Sequence, residues 1–173
     1  IFENIQDIYY EASPDGKILE LSPSVENLSG YRREQILGRS LYDIYVYPAD
    51  RDKVFRELLR KGRVSDYEVL LKDANGEKAY CSITARLIRD KNDTPQKVIG
   101  SLRNITKRKR MESALRESEA QMTAILEASI DRIRYVDKDM RVLWANKAAA
   151  SGLEKTSAED LKGRRCYEVF IGR

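Results

Sequence analysis

The sequence predicts an α+β domain, in which an antiparallel sheet carries helices over one face. A long helix and the first half of a similar domain are expected to follow it. Three observations predict this arrangement. Two short strand patterns precede several short helices, and three longer strand patterns come after them. The last strand pattern passes into a charged helical run without Gly or Pro, and the residues beyond that run repeat the start of the chain.

The N-terminal segment predicts a hairpin and a short helix. Residues 8–12 and 18–21 have strand character, and Gly16 in the turn between them can adopt a positive φ. Ser22 is expected to cap a helix that ends at Gly30, because serine is a favoured N-cap and glycine a favoured C-cap.

A longer helix is predicted after a second short one over 33–38. Asp50 is expected to cap a helix over 51–61, in which apolar residues recur on one face, and Gly62 is expected to end it. The loop before this helix is expected to hold three residues against the core: Leu41, Ile44 and Tyr45.

Three strands complete the first domain. They are predicted over 66–72, 78–89 and 97–106, and the Asn-Gly pair at 75–76 marks a hairpin between the first two. Since consecutive strands joined by tight turns pair with opposite directions, this segment predicts an antiparallel meander.

A helix is predicted over 107–128. Its apolar residues follow the 4-3-4-3 spacing of a coiled coil if Ser118 is included in the series. Because the repeat is short and contains a serine, it predicts a weak, adjustable parallel homodimer. The apolar positions are Met111, Leu115, Met122 and Ile125.

The chain contains an internal repeat. Residues 1–44 and 125–169 agree at an offset of 124 or 125, with Gly38 aligned with Gly163. The second copy stops at Arg173, before the strands that complete the first. We expect it to bury too little apolar surface to be stable unless another chain covers it.

Several short stretches carry a resemblance to a known family. They are DG at 15–16, GYRREQILG at 30–38, YPAD at 47–50, NGE at 75–77 and GSLRNIT at 100–106, with WAN at 144–146 in the second copy. Together they make the chain similar to the PAS domain family. The stretch at 100–106 resembles the family's closing Asp-Ile-Thr, with Asn104 in place of the aspartate.

The resemblance implies three parts: a PAS domain over 1–106, a signalling linker helix over 107–124, and the N-terminal half of a second PAS domain over 125–173. It implies a five-stranded antiparallel sheet whose helices enclose a cavity for a ligand or cofactor. It also implies a sensory segment upstream of an output domain, commonly a histidine kinase or a cyclic-dinucleotide enzyme. No catalytic motif occurs in the sequence, so this segment is not expected to be an enzyme.

Candidate site residues fall into two sets. A small-molecule pocket under the helices is predicted from ten residues: Tyr10, Ile36, Leu41, Phe55, Leu58, Val69, Leu71, Cys81, Ile83 and Leu102. Tyr67 and Arg86 are further polar candidates for this pocket. The alternative is that these side chains simply fill the core. The signal relay is predicted at Asn104, Ile105, Thr106, Met111, Leu115 and Met122.

The sequence contains no histidine. The commonest ligand of zinc and haem is therefore missing, and haem is not expected as a cofactor. A non-covalent flavin is compatible with the sequence. The two cysteines, Cys81 and Cys166, make no disulfide framework and fit a reducing, cytoplasmic compartment. Each is expected to be a small buried thiol, with a redox role as the alternative.

No nucleic-acid partner is expected. The net charge is only +4, and the basic run at 107–110 continues into a helix of mixed charge without aromatic residues that could stack on bases. The chain begins at Ile1 rather than Met, which predicts a segment of a longer protein that could be membrane-anchored elsewhere. Two alternatives stay open: a ligand-free protein-interaction scaffold and a transcription regulator containing PAS domains.

Overall fold

A computed structural model describes residues 7–151, 153 and 157–170. The first nine elements are β1 Asp7–Ala12, β2 Ile18–Leu21, α1 Ser24–Ser29, α2 Arg33–Ile36, a 3-10 turn Leu41–Asp43, α3 Pro48–Lys61, β3 Arg63–Lys72, β4 Lys78–Arg89 and β5 Pro95–Asn104. The next are α4 Thr106–Ala128, β6 Arg134–Val136, β7 Val142–Ala145, α5 Lys147–Ala150, a 3-10 turn Glu159–Leu161 and α6 Cys166–Phe170. The chain divides into two compact units, Ile1–Met111 and Glu112–Arg173.

The first unit is a five-stranded antiparallel sheet in the order β2-β1-β5-β4-β3. The α+β prediction is thereby confirmed. Strand β5 lies in the centre because it pairs with β1 on one side and β4 on the other. In β4, alternate residues face the helices, since Cys81, Ile83 and Ala85 are buried with the core. The sheet is therefore covered by apolar packing on its helical face.

Two predicted helix caps are wrong. The helix α3 begins at Pro48, two residues before Asp50, because proline is well suited to the first helical turn, where its missing N–H costs nothing. Asp50 lies within that turn and pairs with Lys53 at 2.7 Å. Ser22 does not cap α1, since its hydroxyl instead accepts a hydrogen bond from the amide of Tyr9 at 2.9 Å.

Two predicted strands differ from the observed ones at their ends. Strand β3 begins at Arg63 rather than 66, and its pairing with β4 shifts between Val64 and Tyr67. Asp66 adopts a φ of 50° within this irregular segment. The bulge interrupts the alternation of apolar residues, which is why the sequence pattern started the strand too late. The last strand ends at Asn104, and Thr106 belongs to the helix.

In the second unit, β6 and β7 form an antiparallel hairpin, as the repeat predicted. Asn146 follows β7 and is fully buried. Its side chain accepts hydrogen bonds from the amides of Ile133 and Ala149 at 3.0 Å and donates to the carbonyl of Asp131 at 2.8 Å. The described residues of this half bury a small cluster of their own, centred on Val142 and Leu161.

None of the helices in the described part of the chain combines the length and the apolar character needed to cross a membrane.

Gly100 lies at the centre of the sheet, where three strands meet. It pairs with Tyr10 on β1 and with Ala85 on β4. A Cβ atom at this position would lie 2.8 Å from the Thr84 carbonyl oxygen, 2.9 Å from the Ala85 Cβ and 3.0 Å from the Tyr10 ring. Only glycine therefore fits here without displacing a strand.

We expect Gly100→Ala to lower the free energy of unfolding by about 2 kcal/mol, because the added methyl group overpacks a rigid part of the sheet. Urea denaturation of the whole chain measures the change. The control is Ser101→Ala, on the next residue of the same strand. Equal losses for the two variants would contradict the steric argument.

Candidate functional site

A cavity of about 130 Å³ lies between the helices and the sheet of the first unit. It is bordered mainly by apolar side chains. All five strands of the sheet contribute to its floor, and α1, α2 and the 3-10 turn form its roof. Seven of the ten predicted pocket residues border this cavity: Tyr10, Ile36, Leu41, Leu71, Cys81, Ile83 and Leu102.

The other three predicted pocket residues lie elsewhere in the core. Phe55 and Leu58 border a separate space of about 20 Å³ next to α3. The ring of Phe55 packs against the guanidinium group of Arg51, whose Cζ is 4.4 Å from the ring centre. Val69 is buried in the core cluster and does not border the 130 Å³ cavity. Sequence periodicity identified these residues as inward-facing but could not divide the interior into separate spaces.

The sequence reasoning missed part of the cavity wall. Tyr45 borders the cavity and is only 4% exposed. The sequence predicts that Tyr45 packs against the core, and that prediction could have been extended to include Tyr45 in the pocket wall. Val25 and Leu28 also border the cavity, because α1 lies across its roof. Their spacing of three residues places both on one helix face, which is a signal that the sequence does contain.

Burial shifts the pKa values of three ionisable side chains in the cavity wall. It raises the pKa of the Tyr10 and Tyr45 hydroxyls far above the usual range of tyrosine. It also raises the pKa of Cys81 to about 11. The thiol therefore stays protonated near neutral pH and is a poor nucleophile, which favours the structural interpretation of Cys81 over a redox role.

The polar residues near the core are not the expected ones. Arg86 is exposed and borders a groove on the sheet face away from the helices, whereas Tyr67 is partly buried against the core. The buried arginine is Arg51 on α3, at 5% exposure. Its Nη2 donates to the Pro14 carbonyl at 2.5 Å. Among the described residues, no group of three Cys, Asp or Glu side chains is arranged to hold a metal ion.

The relay residues Asn104, Ile105 and Thr106 form a compact joint between β5 and α4. The Asn104 side-chain oxygen accepts a hydrogen bond from the Thr106 amide at 2.9 Å. The Ile105 side chain is buried, and its amide donates to the Tyr80 carbonyl at 2.8 Å. The Thr106 hydroxyl accepts from the Tyr80 amide at 2.9 Å. Only Ile105 separates the end of the strand from the start of the helix, and the joint is hydrogen-bonded to the neighbouring strand β4.

An acidic residue on the sheet adds a second attachment for this helix. The Glu68 carboxylate on β3 lies 3.1 Å from Arg108 Nη2 and 2.5 Å from Lys109 Nζ. Both cations belong to the first turns of α4. Because none of the described residues of α4 is buried, apolar packing does not hold the start of the helix, and polar contacts do so instead.

The apolar residues of α4 are exposed to solvent. Met111, Leu115, Met122 and Ile125 have exposures of 57%, 61%, 59% and 68%. We call these four residues the helix stripe. A set of large apolar side chains at coiled-coil spacing, all exposed, is typical of a surface that another helix covers.

Comparisons with known proteins agree with the observed architecture. Residues 6–107 match a sequence profile described as PAS domain, and residues 126–172 match one described as PAS fold. The chain is also similar to the solved structure of a PAS domain of a protein from Colwellia psychrerythraea. The match covers 61% of this chain and 92% of that structure. The TM-score is 0.54 and the sequence identity is 23%.

Two curated relatives are similar over nearly the whole chain. Sporulation kinase E of Bacillus subtilis is 29% identical over 98% of this chain. The two-component sensor PprA of Pseudomonas aeruginosa is 30% identical over 93% of it. The matched region is 22% of the first protein and 18% of the second, so the chain spans about a fifth of the length of these relatives.

We expect Glu68→Gln to loosen the start of α4, because it removes two ion pairs. Backbone amides over 105–111 should exchange with deuterium about two- to fivefold faster, as the loss of partly exposed ion pairs allows. Hydrogen-exchange mass spectrometry measures this. Glu77→Gln, in the turn between β3 and β4, is the control. The same rates in both variants would show that Glu68 does not hold the helix.

Proposed function

The chain belongs to the PAS domain family, and on this premise we propose that it is the sensory and dimerisation segment of a larger signal-transduction protein. A small molecule in the cavity of the first unit would change the joint at the start of α4. The helix would then pass this change to a downstream output domain. The chain covers only about a fifth of the sensor kinases it resembles, so the output belongs to the proposal.

The position of Asn104 carries this proposal. Asn104 borders the cavity, and its side-chain oxygen also accepts the hydrogen bond from the first amide of α4. A ligand that displaces this side chain would therefore alter the helix start directly. Strand β4 provides the same connection, because Cys81 borders the cavity while the adjacent Tyr80 binds Ile105 and Thr106 through its backbone.

The helix stripe supports dimerisation. Two copies of α4 could bury Met111, Leu115, Met122 and Ile125 against each other, and removing large apolar side chains from water stabilises such a pair. The stripe is short and includes Ser118, so the pair would be weak enough to change register. A few kcal/mol of differential ligand binding, as an order of magnitude, would then shift the population of output states.

We infer that the output domain is a histidine kinase, since the relatives that match nearly the whole chain are a sporulation kinase and a two-component sensor. A cytoplasmic location fits the two buried cysteines, which are free thiols. The signal would originate in the first unit. The second unit would continue the chain toward the output domain.

Replacing Met111, Leu115 and Met122 together with serine is expected to weaken dimerisation of the chain by more than tenfold, because three apolar contacts are lost. Analytical ultracentrifugation over a range of concentrations measures the dissociation constant. In the full-length parent protein, the same variant is expected to lose the ligand response of the output domain.

The matched control replaces Arg110, Glu117 and Ala124 with serine. These residues repeat every seven positions on a different face of the same helix, and all three are exposed. The control should dimerise as the unchanged chain does. A monomeric unchanged chain at all concentrations, or equal weakening in both variants, would contradict dimerisation through the helix stripe.

A further inference from the structure

Two tyrosine hydroxyls in the cavity wall suggest what the cavity recognises, if the proposed sensory function holds. Tyr10 lies on β1 in the floor, and Tyr45 follows the 3-10 turn in the roof. Both border the cavity of about 130 Å³, and both also border the space of about 20 Å³ next to α3. The negative charge that Tyr10 would carry if ionised contributes to the raised pKa of Tyr45, so the two hydroxyls lie close enough to influence each other.

Neither hydroxyl has a hydrogen-bond partner among the residues that the structure describes. In that same part of the chain, every side-chain nitrogen or oxygen that is completely enclosed does have one. The two hydroxyls must therefore border open space rather than packed protein. Tyr45 is only 4% exposed as a residue, and it borders the cavity. Buried polar groups are normally hydrogen-bonded, and a bound molecule can supply what the protein does not.

The size of the cavity limits what it can hold. An engineered cavity of about 150 Å³ in another protein accommodates benzene. A space of about 130 Å³ is therefore suited to a molecule of similar size.

The charges around the cavity favour an uncharged molecule. The buried cation Arg51 borders the smaller space next to α3, which Tyr10 and Tyr45 also border. Its guanidinium group is already bonded to Pro14 and packed on Phe55. At the edge of the cavity, Lys72 is exposed, and the Asp73 carboxylate accepts hydrogen bonds from two turn amides. An ion among the apolar wall residues would lose its hydration without a dedicated partner.

We propose that the cavity binds an uncharged molecule of about the size of benzene that carries one hydroxyl or carbonyl oxygen, which Tyr10 and Tyr45 hold by hydrogen bonds. The apolar body of the molecule packs against the isoleucine and leucine side chains of the wall. Since burial keeps both phenols protonated, each remains a hydrogen-bond donor throughout the physiological pH range.

The test compares phenol, benzene and benzoate as probes of the whole 173-residue chain, with dissociation constants from ligand-observed NMR. Phenol differs from benzene by the one oxygen that the tyrosines would bind. We expect phenol to bind about three- to tenfold more tightly than benzene, the range that one neutral hydrogen bond provides. Benzoate should bind at least about tenfold more weakly than phenol, because its charge must be desolvated.

Tyr10→Phe and Tyr45→Phe should each reduce the preference for phenol over benzene. Neither should lower the free energy of unfolding, because no hydrogen bond within the described protein is lost. Tyr42→Phe is the control, since the Tyr42 hydroxyl donates to Asp52 outside the cavity. It should keep the preference for phenol.

Equal affinities for phenol and benzene, or tight binding of benzoate, would overturn this assignment while leaving a sensory cavity in place. If none of the probes binds up to its solubility limit, the cavity does not admit this class of molecule and the assignment is wrong. The dimerisation measurement on the helix-stripe variants decides the proposed function separately in each of these cases.

Discussion

The backbone of Tyr80 is the attachment on which the organisation of the first unit depends. Its amide and carbonyl bind Thr106 and Ile105, so the long helix starts from strand β4 as well as from β5. Since Cys81 follows directly and borders the cavity, one peptide unit separates the cavity wall from the helix attachment. Because Tyr80 and Cys81 are adjacent residues of one strand, a displacement of the Cys81 backbone would also displace the Tyr80 peptide groups. This geometry is the physical basis of the proposed coupling between cavity and helix.

Patterns that repeat along the chain were the most reliable guide to the fold. Strand β4 and the helix end at Ala128 lie where alternation and helical periodicity placed them. The Asp50 error has a local cause, since the helix starts at Pro48, whereas other errors occurred where a residue's partner is distant in sequence. Ser22 has the chemistry of a cap, but its hydroxyl bonds to Tyr9, thirteen residues earlier. Local propensity could not weigh that contact against a cap, and neither could it foresee the bulge in β3.

Comparison of the two copies of the internal repeat explains the role of Ser22, which the residue by itself does not indicate. Asn146 in the second copy accepts from Ile133, and Ser22 in the first copy accepts from Tyr9, at equivalent positions of the two copies. A serine therefore does part of the work of the asparagine, and the Ser24 hydroxyl supplies another part by donating to the carbonyl of Asp7. Aligning the two copies could have identified this role of Ser22. The division of the core into two cavities, in contrast, depends on how the side chains pack and could not be predicted from the sequence.

The glycine at position 100 also limits how this sequence can diverge. The atom closest to a side chain there is a carbonyl oxygen of the main chain, which any amino acid at position 84 would retain. A compensating substitution at 84 is therefore impossible, and shrinking Ala85 or Tyr10 would relieve only the more distant contacts. Mutations in this part of the sheet can accumulate around Gly100 but cannot replace it, so the strand opposite Tyr10 keeps its shape.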